Sequence, residues 1–195
     1  MFRSSLHTQR SSLNKASRGM TAIELLAALS IVAILSAMAV PAFRDFMQNN
    51  RAAEQSNALV GALALARNEA VTRGVPVSVC VSTDGESCDA AGGLFTFWTP
   101  GWIVFTDAAG NPGDVDDAAD PPDTVLRVMP ALSGEATLAS NRNFVSYTPS
   151  GFLSGAQASF MLSVPDCTGN QNRMIVVNPQ GRATLTHTPC VVPDP

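Results

Sequence analysis

Residues 18–41 read RGMTAIELLAALSIVAILSAMAVP, and the rest of the chain is organised around this stretch. After the basic Arg18 and the small Gly19, every residue from Met20 to Val40 is apolar or small except Glu24. A run of that length matches the ~20 residues with which a helix crosses the hydrocarbon of a bilayer. Backbone polar groups in lipid must be satisfied within the segment, so the run predicts a membrane helix. Glu24 is the anomaly. A carboxylate inside such a segment costs roughly 2.5 kcal/mol or more, and an ionisable group kept there points to function.

Residues 1–19 are polar, Ser-rich and basic, with Arg3, Arg10, Lys15 and Arg18 and no Asp or Glu. They form a leader rather than part of a fold. Four of the 12 basic residues lie there, which leaves eight against 16 acidic residues and a net charge near −8. Such a product repels nucleic acid and anionic lipid unless its arginines cluster. The leader also sets topology: with its positive charge kept inside, everything beyond Pro41 lies outside the cytoplasmic membrane. Ala37-Met38-Ala39 offers ordinary signal peptidase an A-x-A-like site, whose use would release a soluble protein. The length of the run, Glu24 within it and the helical pattern past Ala39 oppose that alternative.

From Pro41 the helix changes character without a break. Phe43, Phe46, Met47, Leu59, Val60, Leu63, Ala66 and Ala70 are spaced for one helical face. Arg44, Arg51, Glu54, Arg67 and Glu69 fall largely elsewhere, as on a solvated face, and Glu69 with Arg73 makes a favourable i,i+4 pair. Gly74 is a C-terminal stop with Pro76 just beyond it. Counted from Met20 to Arg73 the helix is about 80 Å long at 1.5 Å per residue. Beyond Gly74 the chain reads as strands. Val75–Thr83 alternates, with Val75, Val77, Val79 and Val81 on one face, and Asp84-Gly85 then signals a turn. Gly101–Thr106, Thr124–Met129, Ala136–Leu138, Phe144–Tyr147, Ser159–Val164, Met174–Val177 and Ala183–Thr186 are separated by Gly, Pro, Asn and Asp turns. One long helix succeeded by many strands implies an α+β fold with antiparallel sheet packed on the helix. The domain order is a leader (1–19), an apolar helix (20–41) and an exported domain (42–195) made of helix (42–73) and β region (75–190).

The four cysteines, Cys80, Cys88, Cys167 and Cys190, are an even set in an exported domain, which suits two disulfides. A zinc site is the rival, but no spacing is C-x-x-C and the only histidine outside the leader is His187. Three pairings can be drawn; Cys80–Cys88 with Cys167–Cys190 is favoured because each pair brackets a local hairpin or strand pair. Asp107, Asn111, Asp114, Asp116, Asp117, Asp120 and Asp123 crowd one segment, a density of oxygen ligands suited to calcium. Their spacing does not fit an EF-hand loop, and the expectation is a solvated loop with no metal. A Ser-His-Asp arrangement would rest on His187 alone, and no phosphate-binding glycine loop is present. Neither an enzyme nor a cofactor nor a small-molecule substrate is expected.

Gly19-Met20-Thr21-Ala22-Ile23-Glu24, with the apolar run directly after it, resembles the class III signal of type IV pilins and pseudopilins. The resemblance implies that a prepilin peptidase cuts between Gly19 and Met20 and methylates the new N-terminus at Met20. It puts Glu24 at the fifth mature position, where the family keeps a glutamate, and Pro41 at the twenty-second, where many members carry a kinking proline. The family more often has Phe in place of Met20 and Leu in place of Ala22. ALVGALALARNEAVTRGVPVSVC (58–80) and GWIVFTDAAGN (101–111) are similar to the GspH/FimT branch, as are TPSG (148–151), SFMLSVPDC (159–167) and IVVNPQGR (175–182). The branch implies the type IV pilin fold and a non-enzymatic minor pilin. Such a subunit is held by its helix in the inner membrane, its domain in the periplasm, before joining other pilins in a type IV pilus, at the initiating or tip complex. The corresponding subunit of a type II secretion pseudopilus is the alternative. Some FimT-like members take part in DNA uptake and carry Gly-Arg-x-Arg near the C-terminus. Here Gly181, Arg182 and Ala183 match, but Thr184 replaces the second arginine. Arg173 and Arg182 on neighbouring strands would form the remaining patch, a weak footing for phosphate contacts in an acidic domain, so DNA is not the favoured partner.

Overall fold

The computed structural model describes residues 19–89, 96–108 and 111–190. The chain divides into two units between Pro41 and Ala42, and one helix, α1 (Ala22–Arg73), contributes to both. In the first unit every described residue is exposed, large apolar side chains such as Ile23, Leu29 and Leu35 included. This part of α1 is long and apolar enough to cross a membrane. Pro41 sits inside the helix, where its ring removes one N–H from the hydrogen-bond ladder.

In the second unit α1 buries Ala52, Gln55, Ser56, Leu59, Ala62, Leu63, Ala66 and Ala70. The steps of three and four residues place them on one face, and most are small, so β-structure can approach the helix axis closely. The expectation that Phe43, Phe46 and Met47 open this face is corrected. Phe43 is 64% exposed and Phe46 59% exposed, because the domain first reaches the helix at Gln48, whose Nε2 donates to the carbonyl of Pro165 (3.1 Å). Gln55 continues the attachment by donating to the carbonyl of Ser133 (2.6 Å). The helix ends where Gly74, at φ 69°, donates to the carbonyl of Ala70 (3.0 Å), a left-handed cap that only glycine adopts cheaply. Arg73 closes the last turn on Glu69 (2.6 Å).

The β region forms two antiparallel sheets. The first consists of β1 (Val77–Val81), β3 (Trp102–Thr106), β4 (Val125–Met129) and β6 (Phe144–Tyr147), in the order β4-β3-β1-β6. The second takes β2 (Thr96–Phe97), β5 (Thr137–Ser140), β7 (Ala158–Ser163), β8 (Asn172–Val177) and β9 (Ala183–Thr188), in the order β2-β5-β7-β8-β9. The two-residue β2 is too short to leave an alternating pattern and has no counterpart among the strands expected from sequence. One core joins the buried helix stripe to inward side chains of both sheets, among them Val79, Val104, Leu138, Phe160 and Ile175. Trp98 meets Phe160 edge-on there, with ring centroids 4.9 Å apart.

The valine face expected of Val75–Thr83 is present over Val77–Val81, and the opposite face of the strand is internal as well. All five residues of β1 are buried, and so are all five of β3. Val77, Val79 and Val81 face the helix, while Cys80 packs with Ile103 and Phe105 in a second, smaller cluster. Cys88, Val115, Val125 and Phe144 cover that cluster, so the acidic segment after β3 is a lid on the sheet and not simply a solvated loop. Its two inner carboxylates hold it down. Asp107 accepts from Ser78 Oγ (2.5 Å) and Gly113 N (3.1 Å), and Asp123 accepts from Ala108 N (2.7 Å) and Asp116 N (3.1 Å). Both are buried.

At one end of the unit a turn from each sheet touches the other. Gly151 (φ 78°) lies in the turn after β6 and Gly181 (φ 77°) in the turn between β8 and β9. Leu153 N donates to the carbonyl of Pro179 (3.0 Å). A Cβ on Gly181 would lie 2.3 Å from the carbonyl oxygen of Gly151 and 3.3 Å from Arg67 Nε. Only glycine fits.

Burial pushes the Asp107 carboxyl above its ordinary value, against the hydrogen bonds from Ser78 and Gly113. A raised carboxylate pKa means that this group's contribution to stability is greatest below the unfolded-state value near 4 and falls as pH rises through the folded one. Ser78→Ala removes a donor that the charged form needs most. It should therefore cost about 1–3 kcal/mol at neutral pH and clearly less near pH 4. Urea unfolding at the two pH values would show the difference, and an equal loss at both would mean that Asp107 keeps one protonation state throughout.

Candidate assembly and processing segment

The start of α1 has a specific local geometry. Thr21 precedes the first helical residue, Ala22, and its carbonyl accepts from Leu25 N (3.1 Å). Thr21 Oγ1 accepts from Glu24 N (3.3 Å), while Glu24 Oε2 accepts from Thr21 N (3.3 Å) and from Thr21 Oγ1 (3.4 Å). This is the reciprocal capping box of a T-x-x-E start, in which each residue satisfies an orphan amide of the other. Its signal lies in the sequence as Thr21-Ala22-Ile23-Glu24, where the charge anomaly overshadows it. The box uses Oε2 alone; among the described residues Oε1 accepts no hydrogen bond. Gly19 and Met20 lie exposed just ahead of the cap, and a Cβ on Gly19 would meet nothing within 4 Å. The fold therefore has no need of glycine at position 19.

Cys80 is bonded to Cys88 and Cys167 to Cys190, with Cα–Cα distances of 5.7 and 5.6 Å. The first bond ties β1 to the turn around Asp84, whose carboxylate accepts from Ser82, Glu86 and Ser87. Those bonds, the Ser87 hydroxyl's above all, hold Asp84 far below the usual carboxylate range. The second bond ties the β7–β8 connection to the end of β9, where Cys190 N also donates to the carbonyl of Gly169 (2.9 Å). Among the described residues no group of three or more His, Cys, Asp or Glu side chains is arranged to hold a metal ion.

The pairing of Arg173 with Arg182 as a DNA-facing patch is overturned. Arg173 is only 2% exposed. Its Nη1 donates to the carbonyls of Asn170, Gln171 and Asn172, and its Nη2 to Asn49 Oδ1 on α1 (2.5 Å). Burial lowers its pKa from the ordinary arginine value. The guanidinium is thus a strut between the β7–β8 connection and the helix, with carbonyl oxygens standing where a counterion would. Arg182 is exposed, but it precedes Ala183, which pairs with Val177, whereas Arg173 pairs with His187. Four strand residues, about 13 Å at 3.3 Å each, separate the two ends of that hairpin.

Residues 55–181 match the family model of the type II transport protein GspH. That is well over half of the chain, and the chain belongs to the GspH family. The match takes in the buried half of α1 and both sheets as far as Gly181, and leaves the N-terminal segment outside it. Among curated protein sequences none matches the chain. Among solved structures it is similar to the type IV minor pilin FimU of Pseudomonas aeruginosa PAO1, with 19% identity and a TM-score of 0.53, over 72% of this chain and 92% of that one. The minor pseudopilin EpsH from the type 2 secretion system of Vibrio cholerae aligns at 14% identity and a TM-score of 0.43, over 70% and 97% of the two chains. The likeness to FimU shows the fold: a long N-terminal helix packed on antiparallel sheets, as in type IV pilins.

Arg173→Ala should lower stability by about 3 kcal/mol, because it strands the buried carbonyls of Gln171 and Asn172, removes a buried side chain and cuts the tie to Asn49. Arg182→Ala should stay within about 0.5 kcal/mol, as exposed substitutions do. Chemical denaturation of the two disulfide-intact variants would check this, and comparable midpoints would refute the strut.

Proposed function

We propose that this protein is a minor pilin, a structural subunit without a catalytic step, that joins a type IV pilus at its initiating or tip complex. The observation that carries the reading is the combination of two parts in one chain. A GspH-family domain continues from an apolar helix none of whose described side chains is buried between positions 19 and 41. Before assembly the bilayer covers that helix, with the domain on the periplasmic face of the inner membrane. Within a filament the helices of neighbouring subunits replace lipid, packing side by side around Pro41 and the apolar positions before it. A pseudopilus subunit of type II secretion is the second reading, and the family's description favours it; fold and processing are common to both.

The capping box supports a specific role for Glu24. In the precursor the nitrogen of Met20 is an uncharged amide, and Thr21 alone meets the carboxylate. Cleavage between Gly19 and Met20 creates an ammonium there. Glu24 Oε1 of one subunit then receives the ammonium of the next, which desolvates both charges as a pair and sets the axial register. Only processed subunits satisfy it.

Processing has a convenient chemical readout. Lys15 is the single lysine of the chain, so a product beginning at Met20 has its α-amine as the one aliphatic amine, primary before methylation and secondary after it. Intact-mass measurement should find that N-terminus carrying one methyl group, while a product beginning at Val40 would mean ordinary signal peptidase and a soluble protein. Replacing Gly19 with a bulky residue should trap the precursor without loss of fold. Glu24→Ala should insert and be cleaved as usual, yet be depleted in sheared pili. Recovery of Glu24→Ala in pili at the wild-type level, with wild-type pilus number, would remove the assembly role of the carboxylate.

A further inference from the structure

An open sheet edge presents a row of unpaired N–H and C=O groups, and proteins ordinarily blunt such edges with charge, proline, bulges or very short strands. Three of the four edges here are blunted. β2 is only two residues long. β4 carries the exposed Arg127 and meets β3 through a register shift between Val104 and Phe105. β6 has four residues, and Tyr147 at its end bridges to Leu153.

β9 is different. Its sequence, ATLTHT, holds no Asp, Glu, Lys, Arg or Pro. It pairs with β8 through six successive registers without a shift. Among the described residues no strand pairs with its outer side. The described chain leaves β9 by turning toward the β7–β8 connection, where Cys190 is held by its disulfide and its bond to Gly169. The outer face of the same sheet is uncharged along the row Phe97, Ala139, Met161, Met174 and Thr186, which runs across all five strands. Phe97 is 60% exposed on it.

We propose that the outer edge of β9 is a strand-addition site that takes an extended segment of a different pilin subunit; this rests on the filament reading above. The complement of an alternating row of N–H and C=O groups is another extended backbone, and the side chains that alternate along it supply selectivity. Six residues provide about 20 Å of edge. The incoming strand places an uncharged, β-branched side chain opposite Thr186, extending the neutral row by one position in a domain otherwise rich in carboxylates. A second copy of this chain does not fit. Its other edges are the blunted ones, and pairing two β9 edges antiparallel requires a dyad normal to the sheet. That dyad reverses α1, packed along the sheet, whereas subunits drawn from one membrane keep their helices pointing the same way.

The test uses the full chain in pilus-forming cells, with a photo-crosslinking amino acid at Thr186 and, for comparison, at Arg127 on the blunted edge. Sheared pili should yield an adduct from position 186 with a different pilin, mapping to an extended segment, at about ten times the yield from position 127. The double variant Thr184→Lys, Thr186→Lys, checked for intact disulfides and an unchanged unfolding midpoint, should enter pili about tenfold less. Wild-type protein present in pili without that adduct would overturn the proposal and leave the filament reading standing. So would an adduct of twice the chain's own mass, or wild-type incorporation of the double variant. Absence of the wild-type chain from pili would overturn both.

Discussion

The structure depends on how close two sheets can come to one helix. Ala52, Ala62, Ala66 and Ala70 leave almost no side chain between the helix backbone and the strands, and Leu59 and Leu63 fill the gap that remains. A larger residue at any alanine would push both sheets away at once, since a single core contains inward side chains of each. Polar helix residues then fix what the apolar stripe cannot orient. Gln48, Asn49 and Gln55 each bond a loop or a loop-anchored side chain of the β region. Apolar contact sets the distance; these bonds set the register of the loops along the helix.

The same helix meets a different requirement before Pro41. There no fold demands a particular face, and the side chains on every side are apolar or small apart from Glu24, a pattern that suits a helix surrounded by lipid or by other helices. The orphan amides at its start are the exception, since a helix leaves its first four N–H groups without intrahelical partners. Thr21 and Glu24 meet that need locally. One carboxylate therefore has a structural duty within its own chain, which gives a charge at the start of an apolar helix a local reason to be there.

Much of this is legible in the sequence because the signals are local. The left-handed glycine after Arg73, the Glu69–Arg73 pair and most strand positions come from patterns a few residues long. The features that escape depend on tertiary context. Phe43 and Phe46 carry the helical spacing of a core face, yet that spacing says nothing about where the domain begins to touch the helix. β1 alternates as a one-sided strand would, and only the lid over Cys80, Ile103 and Phe105 makes its second face internal. Arg173 resembles surface charge because arginine usually is. Its burial needs the carbonyls of the three residues before it and, from a distant part of the chain, Asn49. In the candidate site Glu24 stands out through its charge, and its cap does not, although the T-x-x-E spacing is there to see.

The meeting of Gly151 with Gly181 bears on how this family can drift. Neither position can accept a side chain on its own: both backbones are left-handed, and the carbonyl of one occupies the space above the α-carbon of the other, with Arg67 wedged against both. The two turns belong to different sheets and lie far apart in sequence, yet natural selection sees them as one site. A lineage that lost either glycine would gain little by keeping the other. Compensation would have to come from Arg67 or from a change in turn length rather than from a neighbouring residue. Across homologues these three positions should change together or not at all, a signature of shared ancestry of shape that pairwise identity near 19% would otherwise hide.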